Sequence, residues 1–191
     1  LVVVDGGSSD DTVAQADRLA DVVLSSEPGR ARQMNAGWRA ATGERVAFLH
    51  ADTRMDERHV NALLAVEAGT WGRFDVALSG DRLAFRVIER AINIRSRLTR
   101  LATGDQVLFA DRELLEATGG FPEIPLMEDL AFARNCRKLG RIRRLQLEMR
   151  TTARRTEGQP FRARAMWVVF PVLFRLGVSP HRLAKWYGNV R

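Results

Sequence analysis

Cysteine is nearly absent from this 191-residue sequence, with Cys136 the single instance. One cysteine excludes an intrachain disulfide and any cysteine zinc cluster, and a lone thiol at a helix-like position reads as a small buried apolar group. Lysine is scarce too: of 30 cationic residues, 28 are arginine. No apolar run reaches the roughly 20 residues that a bilayer span requires, and the stretch from Met166 to Phe174 is short and broken by Pro171. The numbered sequence shows no signal-peptide pattern at its front, no internal repeat and no Ser–His or Cys–His nucleophile pattern. A Gly-rich, Lys-bearing loop of the kind that grips a triphosphate is also missing.

What is there suits one globular domain with a real core. Hydrophobic residues make up 46% of the chain, with 15 Gly and 6 Pro, and nothing resembles a collagenous or disordered composition. The net charge of +7 is unevenly spread. Residues 1–136 hold 16 Arg/Lys against 21 Asp/Glu, whereas residues 137–191 hold 14 against 2. The C-terminal third therefore either faces something anionic (phosphate, anionic lipid or nucleic acid) or carries solvated arginines from a composition bias.

The order of elements points to an α/β protein. LVVVD (1–5), DVVLS (21–25) and VAFLH (46–50) are short apolar strands of the kind covered on both faces. Between them, GGSSDDT forms a turn with Ser8 or Ser9 as helix cap, TVAQADRLA has helical spacing, and ARQMNAGWRAA is a helix ending at Gly43. A further helix is expected over 56–69, with Asp56 as an ordinary helix-start residue. Strand–helix alternation implies a three-layer sheet that is mostly parallel, with ligands beyond the carboxyl ends of its strands. FDVALSGDRLAF (74–85) reads as a strand leading into the helix VIERAINIRSRLTRLA, and residues 104–121 as turn, short strand and helix. PLMEDLAFARNCRKLG is a helix entered through Pro125, and RIRRLQLEMRTTARR an alternating, Arg-decorated strand. Two regions are expected: 1–155 as the catalytic domain and 156–191 as a basic, amphipathic helical segment. That segment either packs on the domain or lies at a membrane surface, with Trp167, Trp186 and Tyr187 beside Arg175, Arg182 and Lys185.

Four acidic spots stand at turn or helix-start positions: Asp5, Asp52, Asp105 and the pair Glu128–Asp129. Singly, each reads as a cap or a turn closure. Asp5 and the His50–Asp52 pair, however, both end strands, so they share one edge of a parallel sheet. A carboxylate beside a histidine on such a turn suits Mg²⁺ or Mn²⁺, with substrate phosphates and water completing the shell. Turn amides and Arg30 can meet further phosphate charge. The residues therefore suggest metal-assisted binding of a nucleotide or sugar phosphate, without choosing the reaction.

VVVDGGSSDDT, GRARQMNAGWRAATGERVAFLHADT, GDQVLF and PLMEDLAFARNCRKLG, in that order, resemble the family 2 glycosyltransferases of GT-A fold. The Arg-x-x-x-x-Asn-x-Gly spacing and the HADT form are similar to a bacterial subgroup associated with radical SAM and selenium-related gene neighbourhoods. The resemblance implies a Rossmann-like α/β/α domain and transfer of a sugar from a UDP-, GDP- or dTDP-sugar to a hydroxyl, with inversion. Asp5, followed by Gly6 and Gly7, would contact the base or ribose, and Arg30 and Asn35 would border the nucleotide pocket. His50, Ala51 and Asp52 would form the diphosphate element, with Asp52 binding Mn²⁺ or Mg²⁺. Asp129, beside Glu128, would be the general base, and Asp105 and Gln106 would line the acceptor side. The expected location is cytoplasmic, possible contact with the inner face of the membrane included.

Two departures stand out. His50 occupies the place where many relatives have the leading Asp of Asp-x-Asp, so metal ligation, a phosphate contact and strand-end packing are all open for it. The resemblance also implies a strand and helix ahead of VVVDGG, inside the sheet, which the numbered sequence does not include. Two other functions compete. A sugar-phosphate nucleotidyltransferase needs the same carboxylates and metal, and a non-catalytic binder of anionic membrane or RNA would use residues 137–191. The non-catalytic binder ranks last as the whole function, because the tail lacks an RNA-binding aromatic motif, and nucleic acid is not an expected partner.

Overall fold

The computed structural model describes residues 1–80, 83–151 and 169–188. The apolar run at the front forms β1 (Val2–Asp5), which pairs in parallel with β2 (Val22–Ser25) from Val2↔Val22 to Asp5↔Ser25. Between them lies α1 (Thr12–Ala16). It starts later than Ser8 or Ser9 would have it, because both serines belong to the turn: Ser8 donates back to Asp5, and Asp10 accepts from the Thr12 amide. The helix α2 (Arg30–Ala40) then lies on β1, and a Cβ at Gly37 would sit 3.3 Å from Val4.

The remaining strands form a second sheet. These are β3 (Arg45–Phe48), β4 (Thr53–Arg54), β5 (Thr70–Leu78), β6 (Leu108–Asp111) and β7 (Arg141–Thr151), in the order β3-β6-β5-β7-β4. Here the expectation of a mostly parallel sheet needs correction. Only β5–β7 runs parallel, while β3–β6, β6–β5 and β4–β7 are antiparallel. The class is mixed α/β, and the antiparallel strand β6 enters between β3 and β5 after a single 3₁₀ turn. Among the described strands the two sheets part between β1 and β3, each of which pairs on one edge only.

Five further helices follow: α3 (Glu57–Leu64), α4 (Leu83–Thr99), α5 (Arg112–Thr118), α6 (Glu128–Leu139) and, after β7, α7 over 169–175. The last helix is α8 (Pro180–Gly188). Asp56 caps α3 through the amides of Arg58 and His59, as a helix-start residue should. The main core is aromatic. Phe121 stacks on Phe132 at 4.2 Å, and Phe48 meets Phe121 edge-on at 4.7 Å. Each fully buried ring of this size contributes roughly 2–3 kcal/mol by removal from water. Phe170, Phe174 and Leu183 join the same cluster, so α7 and α8 pack on the domain. Cys136 lies wholly inside it, and burial pushes its thiol up to about 12, so it is an inert apolar group. The part of the C-terminal segment over 156–168, including Trp167, lies outside the described residues.

Candidate active site

The strand β3 stops at Phe48, and the chain turns at once, delivering His50 and Asp52 to the rim of a cavity of about 180 Å³. Asp52 is exposed, and its Oδ1 faces the hydroxyls of Thr53 and Thr151 at 3.3 and 3.4 Å. Those two threonines are partners in the β4–β7 pairing, which fixes the carboxylate from below. Among the described residues, Oδ2 has no hydrogen bond and is free for a ligand.

The opposite wall comes from the entrance to α6. Pro125 and a left-handed Met127 (φ 68°) turn the chain so that Glu128 and Asp129 occupy the first helical turn. Asp129 accepts from the Gly104 amide at 2.7 Å and from the Leu130 amide at 2.7 Å. Glu128 is 3% exposed, and its carboxyl is pushed up, first by burial and then by the neighbouring Asp129. Arg30 spans the two walls from the start of α2. Its Nε lies 3.1 Å from Glu128 Oε1, and its Nη2 lies 3.9 Å from Asp129 and 3.4 Å from His50 Nε2. The Glu128 contact is close without being aligned, because Oε1 has no hydrogen bond that meets the angular requirement.

Gly104 holds this junction together. A Cβ there would come within 2.5 Å of His50 Nε2 and 2.7 Å of Arg30 Nη2, so only glycine lets the turn approach both. The following Val107 sits at φ 46°, a costly conformation for a β-branched residue. Two of the three non-glycine residues with positive φ among the described residues therefore flank the site, where stored strain commonly gathers. Burial lowers the His50 pKa, and the Arg30 charge lowers it further, so the imidazole is neutral near pH 7, with Nε2 facing the Arg30 guanidinium. One free carboxylate oxygen and one neutral imidazole on the cavity rim fit a divalent ion whose other ligands are phosphate oxygens and water.

The structure thus brings Arg30, His50, Asp52, Asp105 and Asp129 to one cavity, with Glu128 behind it. Asp105 presents a buried Oδ1 that has no partner among the described residues. Other candidates fall elsewhere. Asn35 is turned inward, clamping Phe121 by 2.8 and 2.9 Å bonds and accepting from Trp38, so its amide is not available to a nucleotide. Gln106 is fully buried and ties the turn through the Thr103 amide and Asn93. Ala51 is an exposed turn residue. Asp5, Gly6 and Gly7 lie at the end of β1, outside the cavity wall. Asp5 is held below the usual carboxylate range by the Ser8 hydroxyl and the Ser8 and Gly7 amides, and Gly6 leaves room for Gln33, 2.7 Å from where a Cβ would be. Sequence reasoning missed the apolar wall of Ile92, Leu126, Phe170, Pro171 and Tyr187, together with Arg95 and Thr103. Of these, only Thr103, next to the GDQ stretch, carried a local signal.

Residues 1–68 match the model of the Glycosyl transferase family 2. Among solved structures, the chain is similar to a mannosyltransferase from Pyrobaculum calidifontis in complex with GDP-Man and Mn²⁺ (TM-score 0.63, 23% identity, 98% of this chain and 59% of that one). It is also similar to a mycobacterial protein (TM-score 0.62, 21% identity, 93% and 65%). A third is glucosyl-3-phosphoglycerate synthase from Mycobacterium tuberculosis in complex with Mn²⁺, UDP and glucosyl-3-phosphoglycerate (TM-score 0.60, 21% identity, 93% and 69%). The chain thus spans less than two thirds of the length of the first two. No curated protein matches it.

Proposed function

We propose, from the premise that residues 1–68 are a family 2 glycosyltransferase segment set on a GT-A fold, that the chain transfers a sugar from a nucleotide-diphosphate sugar to an acceptor hydroxyl with inversion. The observation that supports this most is the convergence of Asp52, His50, Arg30 and Asp129 on one cavity. Its volume is below the roughly 300–1,000 Å³ of sites that enclose a whole drug-sized ligand, which suits a cavity for the sugar and its diphosphate link.

Each residue has a task. Asp52 and His50 would hold Mn²⁺ or Mg²⁺, which when bound neutralises charge on the departing diphosphate. Arg30 faces the same place and adds a fixed guanidinium for phosphate oxygen. Asp129 is the base. An acceptor oxygen attacks the anomeric carbon with its lone pair, the bond from that carbon to the diphosphate oxygen breaks, and the diphosphate keeps the electron pair. The hydroxyl proton passes to the Asp129 carboxylate. A single displacement of this kind inverts the carbon and needs no enzyme nucleophile. The solved relatives carry GDP-Man or UDP, which makes those nucleotides the first donors to try, with dTDP-sugars next.

An accessory contact with an anionic membrane surface rests on exposed Val172, Leu176 and Trp186 beside Arg175, Arg182 and Lys185. No helix of the described residues is long and apolar enough to cross a membrane.

A thermal-shift screen of UDP-, GDP- and dTDP-sugars tests the reading. At a hundredfold excess over Kd a ligand adds about 2.7 kcal/mol, expected as a rise in Tm of about 5–10 °C for a domain of this size. The rise should need Mn²⁺ or Mg²⁺ and vanish with chelator. No shift with any donor counts against the transferase, and pyrophosphate release from a nucleoside triphosphate and a sugar phosphate would identify a nucleotidyltransferase instead.

A further inference from the structure

Two arginines line the cavity, and they are held differently. Arg30 rests against Glu128. Arg95, projecting from α4, forms no ion pair among the described residues, and its described hydrogen bond runs from Nη2 to Thr103 Oγ1 at 3.3 Å. It is half-buried, and burial holds its pKa below the ordinary arginine value against the opposing charges of Asp105 and Asp129. An unpaired, partly desolvated cation is costly unless an anion meets it. Thr103 is equally suggestive. Its Oγ1 already accepts from Arg95, while the Gln106 amide goes to the Thr103 carbonyl, so its own O–H is left to donate into the cavity that it lines.

The turn keeps the two guanidiniums apart. Gly104 lies against His50 and Arg30, while Thr103 takes Arg95. Because the Gly104 amide also donates to Asp129, the Arg95–Thr103 pair sits one residue along the chain from the hydrogen bond that holds the base. Ile92, Phe170, Pro171 and Tyr187 also line the cavity and make its lining largely apolar, which strengthens any charge pairing there.

We propose that Arg95 and Thr103 form an oxyanion subsite for a phosphomonoester group on the acceptor, setting the acceptor hydroxyl beside Asp129. A phosphate offers three oxygens, enough for both the guanidinium fork and the threonine hydroxyl. This rests on the transferase reading, in that Asp129 is the base the hydroxyl must reach. The phosphate belongs either to a small soluble molecule or to a lipid headgroup.

Calorimetric titration of glycerol phosphate into the full chain tests it, with and without saturating nucleoside diphosphate and Mn²⁺. Wild type should bind, glycerol itself should not, and Arg95→Gln should weaken binding by about tenfold or more, the scale of one lost charge-assisted hydrogen bond. Arg95→Lys keeps a charge without the fork and should fall between. Arg90→Gln, exposed on the same helix, should bind like wild type. In a second arm, phosphatidic acid vesicles, but not phosphatidylcholine vesicles, should retain wild type and not Arg95→Gln if the phosphate is a lipid's. The subsite is overturned if neither probe binds, or if Arg95→Gln binds either as well as wild type. Failure of the nucleoside diphosphate to bind wild type, with glycerol phosphate binding still dependent on Arg95, would sink the transferase reading and leave the subsite standing.

Discussion

Asp75 and Glu128 are both buried carboxylates with arginine at hand, and the two reach opposite states. Asp75, 7% exposed in the middle of β5, meets Arg73 at 2.7 Å, the Arg144 guanidinium at 2.9 and 3.1 Å, and Arg97 at 3.4 Å. Burial pushes its carboxyl up, but Arg144 and Arg73 outweigh that and hold it at about 2. Glu128, 3% exposed, has among the described residues only the misaligned Arg30 and an acidic neighbour, and its carboxyl is pushed up. The first cluster is complete and joins β5 to β7 where their register shifts, between Phe74 and Asp75. The second is incomplete and borders a cavity. Saturated buried charge builds a scaffold here, and unsaturated buried charge marks where a substrate must enter to complete it.

The largest effect expected from this contrast lies at Asp129. Asp129→Asn keeps the shape and the acceptor oxygen for the Gly104 amide but cannot take a proton. Transfer should fall by about 10²- to 10⁴-fold, the usual share of a general base, while the metal-dependent thermal shift with nucleoside diphosphate persists. Turnover at the wild-type rate would remove Asp129 from the base role. Next comes Asp75→Asn, which leaves Arg73 buried without its counter-charge. Stability in urea should drop by roughly 3 kcal/mol, as for other broken buried pairs, with activity per folded molecule unchanged. A loss under about 0.5 kcal/mol, the size of an ordinary surface substitution, would deny the cluster its scaffold role.

The sequence was informative where signals are local. The apolar runs at β1, β2 and β3, the Asp56 cap and the acidic pair at the start of α6 stand where the pattern put them. Distant pairing was not visible. β5 begins at Thr70 and is buried throughout, whereas its first four residues, with Gly72 and Arg73, look like a loop until Arg144, far along the chain, joins Asp75. The antiparallel entry of β6 is likewise a long-range fact. Asn35 misled because an amide near a nucleotide motif and an amide that clamps a backbone look alike in sequence. Arg95 was hidden among the five arginines of residues 83–100, since only the packing of α4 singles out the one that lines the cavity.

The smallest effect sharpens the comparison most, because the two clusters should respond to pH with opposite signs. Glu128 has a folded pKa above its unfolded value of about 4.3. The native state therefore holds more protons than the unfolded state between those two values, and stability falls as pH rises through that window. Glu128→Gln removes the cost, so near pH 7 the variant should be more stable than wild type by about 0.5–2 kcal/mol, as with other relieved active-site strain. That advantage should shrink to nothing below about pH 4. Asp75 works the other way. Its depressed pKa contributes stability that is present above its unfolded value of about 3.9 and is lost as pH falls toward about 2. Urea midpoints of wild type, Glu128→Gln and Asp75→Asn between pH 3 and 8 separate the two. A gap between wild type and Glu128→Gln that does not change with pH would mean that Arg30 compensates Glu128 fully, and that the acidic wall of the cavity is as saturated as the Asp75 cluster.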